Sequence, residues 1–155
     1  MPNKDISLIL HDIRSAENVG SIFRTAEAAG VSKIYLTGYT PWPVDKFGRV
    51  SGKIKKAALG AEEYLEWKPA QITRLIKRLK QDGVTIVAIE QAKRSLDYRH
   101  FSLTGPTAFI LGNEVVGLPE KLLTASDTII EIPLVGRKES LNVAVAAGVV
   151  LFRLN

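Results

Sequence analysis

The 155-residue chain contains no cysteine, which excludes disulfides, thiolate metal sites and cysteine nucleophiles. Histidine is nearly as scarce: His11 and His100 are too few for a histidine-rich zinc site. No apolar run approaches the roughly 18 residues of a membrane-spanning helix. Met1 to Ile6 also lacks the apolar stretch of a signal peptide. The expectation is a cytoplasmic protein with neither metal nor membrane span. Phosphate-binding signatures are missing too. Gly48 and Gly52 enclose three residues where a P-loop has four, and no Ser or Thr follows Lys53. No Gly-x-Gly-x-x-Gly turn follows a strand-like run, and there is no Gly-x-Ser-x-Gly elbow. Nucleotide hydrolysis, dinucleotide-dependent redox chemistry and serine hydrolysis therefore have no support.

What is present fits one domain over residues 1–155, with 46% hydrophobic and 24% charged residues. The 21 Lys and Arg against 16 Asp and Glu leave a formal charge of +5, compatible with a phosphate-rich partner without requiring one. The pattern alternates strand and helix. Ile6 to Leu10 and Lys33 to Thr37 read as strands, and Asn18 to Ala29 as a helix with Val19, Ile22, Phe23 and Ala26 on one face. Gly38 to Gly52 reads as irregular, and the basic stretch Lys53 to Lys56 follows it. Pro69 to Gln81 reads as a helix with Ile72, Leu75, Ile76 and Leu79 at helical spacing. Val84 to Ile89, Thr107 to Leu111 and Thr128 to Ile132 are largely apolar runs, as in a parallel sheet covered on both faces. Helices over Glu120 to Ala125 and Ser140 to Leu154 complete an α/β fold, a parallel sheet flanked by helices.

Three blocks put polar groups where such strands end. Open α/β sheets bind ligands at the carboxyl ends of their strands, so these blocks are the candidate site. The first runs from His11 to Ala26 and contains Asn18 and Arg24. Asn18 is either a helix N-cap or a ligand contact at the helix mouth, and Arg24 is either solvated or turned to an anion. The second is Leu111 to Leu118. Its Glu114 follows a buried strand, a costly position unless a partner, a ligand or a helix end satisfies the carboxylate. In the third, Ile132 to Val145, Ser140 and Asn142 stand at the start of a helix whose Ala144, Ala146, Ala147 and Gly148 permit close packing. Ser140 as an ordinary N-cap is the plainer reading.

The order and completeness of the three blocks resemble the SpoU/TrmH branch of the SPOUT superfamily, S-adenosylmethionine-dependent RNA ribose 2′-O-methyltransferases. The similarity runs from Leu8 to Leu151. It rests on Asn18-Val-Gly-Ser-Ile-Phe-Arg24, Leu111-Gly-Asn-Glu114 and Ile132-Pro-Leu followed by Ser140-Leu-Asn142. Thr40 to Pro43 and Ala58 to Glu62 are similar to connecting segments of the family. The resemblance implies a C-terminal segment threaded into a deep trefoil knot, an exception to general topology rules. It implies that Ile89, Gly112, Ile132 and Leu141 surround S-adenosylmethionine, with Ser140 at the boundary with RNA. It also implies a homodimer with the site near the subunit interface. In the implied reaction a ribose 2′-oxygen attacks the sulfonium methyl and S-adenosylhomocysteine leaves. Arg24 is then the residue that activates the hydroxyl, either by taking its proton or by stabilising the alkoxide. A guanidinium normally keeps its charge, which weighs against the first role. Asn18, Glu114 and Asn142 become orienting groups. His11 is a less central base.

Many members of this group carry terminal RNA-binding extensions, and this chain reads as a bare catalytic domain. Capture of tRNA or rRNA then falls to Arg14, Arg24, Lys46, Arg49, Lys53, Lys55, Lys56 and a second subunit. Ala57 stands where Thr is frequent in the family. Two other readings stay open: a knotted domain that binds cofactor or RNA without turnover, and a methyltransferase for a non-RNA substrate.

Overall fold

The apolar runs become strands because both faces of the sheet are covered. In the computed structural model, which describes residues 5–154, seven parallel strands stand in the order β3-β2-β1-β6-β4-β7-β5. Met1 to Lys4, part of the stretch read for a leader, and Asn155 lie outside the described residues. The strands are β1 (Ile6–His11), β2 (Lys33–Thr37), β3 (Glu66–Ala70), β4 (Thr85–Ile89), β5 (Leu96–Asp97), β6 (Thr107–Leu111) and β7 (Thr128–Glu131). The helices are α1 (Ala16–Ala28), α2 (Gly52–Ala58), α3 (Ala61–Tyr64), α4 (Ile72–Gln81), α5 (Glu120–Ala125) and α6 (Val143–Leu154). None of them is long and apolar enough to cross a membrane.

Side chains along each strand alternate between two cores. Leu8, Leu10, Ile34, Leu36, Val87, Phe109, Leu111 and Ile130 face α1, α2 and α6, where Val19, Ile22, Phe23, Ile54, Ala147 and Leu151 meet them. Ile9, Tyr35, Ile86, Ala88, Ala108, Ile110 and Ile129 face α4 and α5, through Ile72, Leu75, Ile76, Leu79, Leu122 and Leu123. β6 is buried along its whole length between β1 and β4. Each fully buried Leu, Ile or Phe contributes about 1.5–3 kcal/mol of transfer free energy. α1 and α2 pack very closely: a Cβ on Gly20 would stand 2.6 Å from the Ile54 carbonyl oxygen and 2.7 Å from the Ala57 Cβ. Ala57, the departure from the family pattern, thus faces the first helix.

Several expected boundaries are corrected. Pro69 lies inside strand β3, paired beside Leu36, and α4 starts at Ile72 with the Gln71 side chain accepting from the Arg74 N–H at 2.8 Å. A proline is tolerated there because β3 is an edge strand, whose outer amides have no ladder partner to lose. α1 begins before Asn18, and its N-cap is Ser15. α6 begins at Val143 rather than Ser140, because Asn142 caps it through Oδ1, 2.8 Å from the Ala144 nitrogen and 3.3 Å from that of Val145. Gly38 to Ser51 is irregular as read, apart from one antiparallel bridge between Val44 and Val50.

Candidate active site at the strand ends

Parallel strands that stop together leave a crevice. A cavity of about 340 Å³ opens where β4, β6 and β7 end at Ile89, Leu111 and Glu131. Its lining includes the four residues expected around the cofactor, Ile89, Gly112, Ile132 and Leu141, together with Glu114 and Ser140. The remaining walls are apolar, from residues such as Leu111, Leu134 and Val143, acidic, from Glu90, Glu131 and Glu139, or neutral polar, from Gln91 and Asn113, and among the described residues no Lys or Arg lines the space. Carboxylates among apolar and neutral polar walls suit a ligand that carries positive charge beside both apolar and hydrogen-bonding parts. Among the described residues, no group of His, Asp and Glu is arranged to hold a metal ion.

Gly112 has a packing reason to be glycine. A Cβ there would stand 2.7 Å from the Leu118 Cγ and 2.9 Å from the Gly117 carbonyl carbon, so the loop folding back on itself fills that space. Glu90 fastens the same loop, its Oε2 accepting the Leu118 N–H at 2.8 Å. Sequence reading missed Glu90. The available signal was its position directly after a buried strand, the same feature that singled out Glu114.

Beside the cavity, Glu114 anchors a continuous polar chain. Its Oε1 accepts the Arg14 N–H at 2.8 Å, and its Oε2 accepts the Ser15 N–H at 2.8 Å and the Asn18 Nδ2 at 3.0 Å. The carboxylate therefore satisfies backbone donors at the mouth of α1, where the helix dipole also favours a negative charge. Asn18, having donated its amide to Glu114, uses its Oδ1 to accept the Asn142 Nδ2 at 3.0 Å. Asn142 turns its own Oδ1 to the first amides of α6. Each side-chain amide thus has a fixed orientation, and three residues from three distant blocks become one unit. Burial is the largest single influence on Glu114 and opposes its charge. The amides of Arg14 and Ser15 and the Asn18 side chain together outweigh it, so the carboxyl sits below the ordinary glutamate value. Glu114 thus holds the amides just before α1, Asn142 caps α6, and both are network members. Asn18 is not a cap, nor is Ser140, which lies exposed before α6 with no side-chain hydrogen bond among the described residues.

Arg24 stands apart. It is exposed on α1, has no hydrogen bond or ion pair among the described residues, and does not line the cavity. Six residues separate it from Asn18, about 9 Å along the axis and roughly 120° around it. Within one chain the structure does not bring Arg24 to the network. His11 is tied down instead, with Nδ1 2.9 Å from the Thr37 hydroxyl. Burial, only partly countered by Asp12, lowers its pKa, and Lys121 lowers it further.

Comparison with known proteins gives this arrangement a lineage. Over 96% of its length the chain is 33% identical to the Thermus thermophilus tRNA (guanosine(18)-2′-O)-methyltransferase, covering 73% of that protein. The Escherichia coli enzyme of the same name is 29% identical over 96% of the chain, which spans 62% of that relative's length. The crystal structure of an AdoMet-bound rRNA methyltransferase from Sinorhizobium meliloti superposes on 97% of the chain with a TM-score of 0.89 at 34% identity, the match covering 56% of that protein. Residues 5–152, which hold the whole network and every strand, match the profile of the SpoU rRNA Methylase family. The chain belongs to that family.

Proposed function

We propose that the chain is an S-adenosylmethionine-dependent methyltransferase acting on a ribose 2′-hydroxyl of tRNA or rRNA, and that it works as a cytoplasmic homodimer. One observation carries this reading: the Glu114, Asn18 and Asn142 network, set beside an apolar and acidic cavity at the ends of three parallel strands. The AdoMet bound to the Sinorhizobium meliloti relative supports the cofactor, and the names of the Thermus thermophilus and Escherichia coli relatives support RNA as substrate. In this reading Ile89, Gly112, Ile132 and Leu141 hold the cofactor. S-adenosylmethionine, when bound, supplies a sulfonium methyl group.

The chain's residues divide the remaining work. Asn18, Glu114 and Asn142 fix the mouth in one geometry, so that a ribose arrives oriented at little entropic cost. Ser140, exposed at the rim without a side-chain hydrogen bond among the described residues, offers its hydroxyl to the incoming nucleotide. Arg24 stabilises the oxygen as its proton leaves, as a fixed positive charge beside a developing negative one. Because Arg24 lies off its own chain's cavity, it serves the cavity of the partner subunit. The dimer interface is the outward side of α6, where Val145 and Phe152 are exposed and apolar, together with Leu141 in the loop before it. Arg24 borders that surface, since Gly148 of α6 packs against Thr25. The same reading carries the segment after β7 through a loop as a deep trefoil knot.

Incubation with methyl-labelled S-adenosylmethionine and total RNA tests this function. Label is expected in the RNA fraction in proportion to the protein added. Label confined to protein or small molecules would defeat the RNA assignment, and no transfer at all would leave a binding domain.

A further inference from the structure

A second depression adjoins the cavity. Asn113, Glu114, Val115 and Val116 border both, and Arg14, Tyr39 and Lys53 line only the second. Tyr39 is 61% exposed, yet it is held at both ends. Its backbone N–H donates to Asp12 Oδ1 at 3.0 Å, and its phenol oxygen accepts the Asn113 Nδ2 at 2.8 Å. The same Nδ2 reaches the Asp12 carbonyl oxygen at 3.1 Å, while Asn113 Oδ1 accepts the amides of Val115 and Val116 at 2.9 and 3.0 Å. The neighbouring Thr40 is buried, its hydroxyl 2.8 Å from the Leu10 carbonyl oxygen and 3.0 Å from the Ile13 nitrogen. The chain leaves both adjacent strands through a left-handed residue, Asp12 at φ 54° after β1 and Gly38 at φ 61° after β2. A Cβ on Gly38 would collide with the Asp12 carboxylate, so this residue must be glycine.

Such construction is excessive for a surface tyrosine with no work to do. A ring fixed at its polar end and open on its face pays little entropy when something flat lies against it. The surroundings name the chemistry. Val115 and Val116, 83% and 80% exposed, line the same depression, while Arg14 and Lys53 bring positive charge. A flat π-surface, apolar flanks and cations together match a nucleobase joined to phosphates. Given the function proposed above, on which this step rests, a ribose seated at the rim beside Glu114 leaves its base to fall over this depression.

We propose that Tyr39 is the stacking platform for the base of the nucleotide being modified, with Arg14 and Lys53 holding its flanking phosphates. Stacking tolerates any base, so the platform sets where the nucleotide lies without selecting its identity.

Two measurements test this. Binding of bulk tRNA across a salt series is compared for the wild type, Tyr39→Ala, Tyr39→Phe and Lys53→Ala. Apparent KM and kcat are measured with total RNA, alongside the KM for S-adenosylmethionine. Tyr39→Ala is expected to weaken RNA binding and raise the RNA KM by roughly 5- to 100-fold, at every salt concentration and with an unchanged salt slope. Tyr39→Phe, which keeps the ring but loses the bond to Asn113, is expected to lose less than Tyr39→Ala, and the KM for S-adenosylmethionine controls for folding. Lys53→Ala instead lowers the salt slope by about 1. The KM for S-adenosylmethionine stays the same throughout. Wild-type protein that binds tRNA without methylating it would defeat the proposed function alone, and the platform would then stand or fall on the binding series. The platform is overturned if Tyr39→Ala binds tRNA within twofold of wild type, if wild type binds no tRNA, or if Tyr39→Ala instead loses affinity for an acidic peptide such as polyglutamate.

Discussion

The candidate site has two halves that differ in how they are held. Glu114, Asn18 and Asn142 bond to one another and to the ends of α1 and α6 within a single chain. Arg24 and Ser140 are exposed and unpaired among the described residues, and they sit on the faces of α1 and of the loop before α6. Folding alone therefore builds the first half, because its hydrogen bonds satisfy the backbone at the start of both helices and tie the two together. The second half gains nothing from folding and is kept available for groups from outside the chain. A site divided this way separates stability from chemistry, and substitutions can test the separation.

The largest expected effect is on the free half. Arg24→Ala should lower methyl transfer by about a hundredfold to ten-thousandfold, the range of a group acting on the reacting proton or charge. Its melting temperature should match wild type, since exposed unpaired positions stay within about 0.5 kcal/mol. Co-expression with Glu114→Gln separates action in the same chain from action across an interface. Where disturbing the network has also silenced the Glu114→Gln parent, a symmetric dimer that shares sites regains about a quarter of wild-type activity, since half the dimers are mixed and each has one intact site of two. No recovery would confine Arg24 to its own chain.

The held half should respond in the opposite way. Glu114→Ala strands the Arg14 and Ser15 amides and the Asn18 side chain, and should cost about 1–3 kcal/mol in denaturant unfolding. Asn142→Ala removes the α6 cap, at a cost of about 1 kcal/mol. Acidity probes the same bonds more gently. Because the folded Glu114 value is lowered, its contribution is fully present above the unfolded glutamate value of about 4.3 and is lost as pH falls through the folded value. The stability gap between wild type and Glu114→Gln should therefore be widest at neutral pH and close on acidification. A gap independent of pH would mean that the charge is not what the helix mouth holds. The smallest effect belongs to Ser140→Ala, expected within about 0.5 kcal/mol of wild-type stability while activity falls.

The same division explains what was legible before any coordinates. β1, β2, β4, β6 and β7 were readable because burial on both faces demands near-continuous apolar runs. β3 was not, since Glu66, Trp67 and Lys68 lie at a half-exposed sheet edge and Pro69 resembles a helix start. β5 has two residues, too few for a period. In the site, Glu114 was visible as a carboxylate after a buried strand, but its bonds at the mouth of α1 could not be seen, because Arg14 and Ser15 lie a hundred positions away in sequence. The link between Asn18 and Asn142 spans 124 positions and depends on how α1 and α6 pack. No spacing rule covers such a contact. Tyr39 was passed over for the same reason: its anchors, Asp12 and Asn113, come from the ends of two other strands.

Where a transferred methyl group ends up tests the proposed function most directly. RNA treated with the protein and labelled S-adenosylmethionine can be digested to nucleosides and separated, with Arg24→Ala in parallel. Label in 2′-O-methylated nucleosides, lost in the variant, is the predicted result. Label on bases alone, or undiminished 2′-O-methylation by Arg24→Ala, would contradict it.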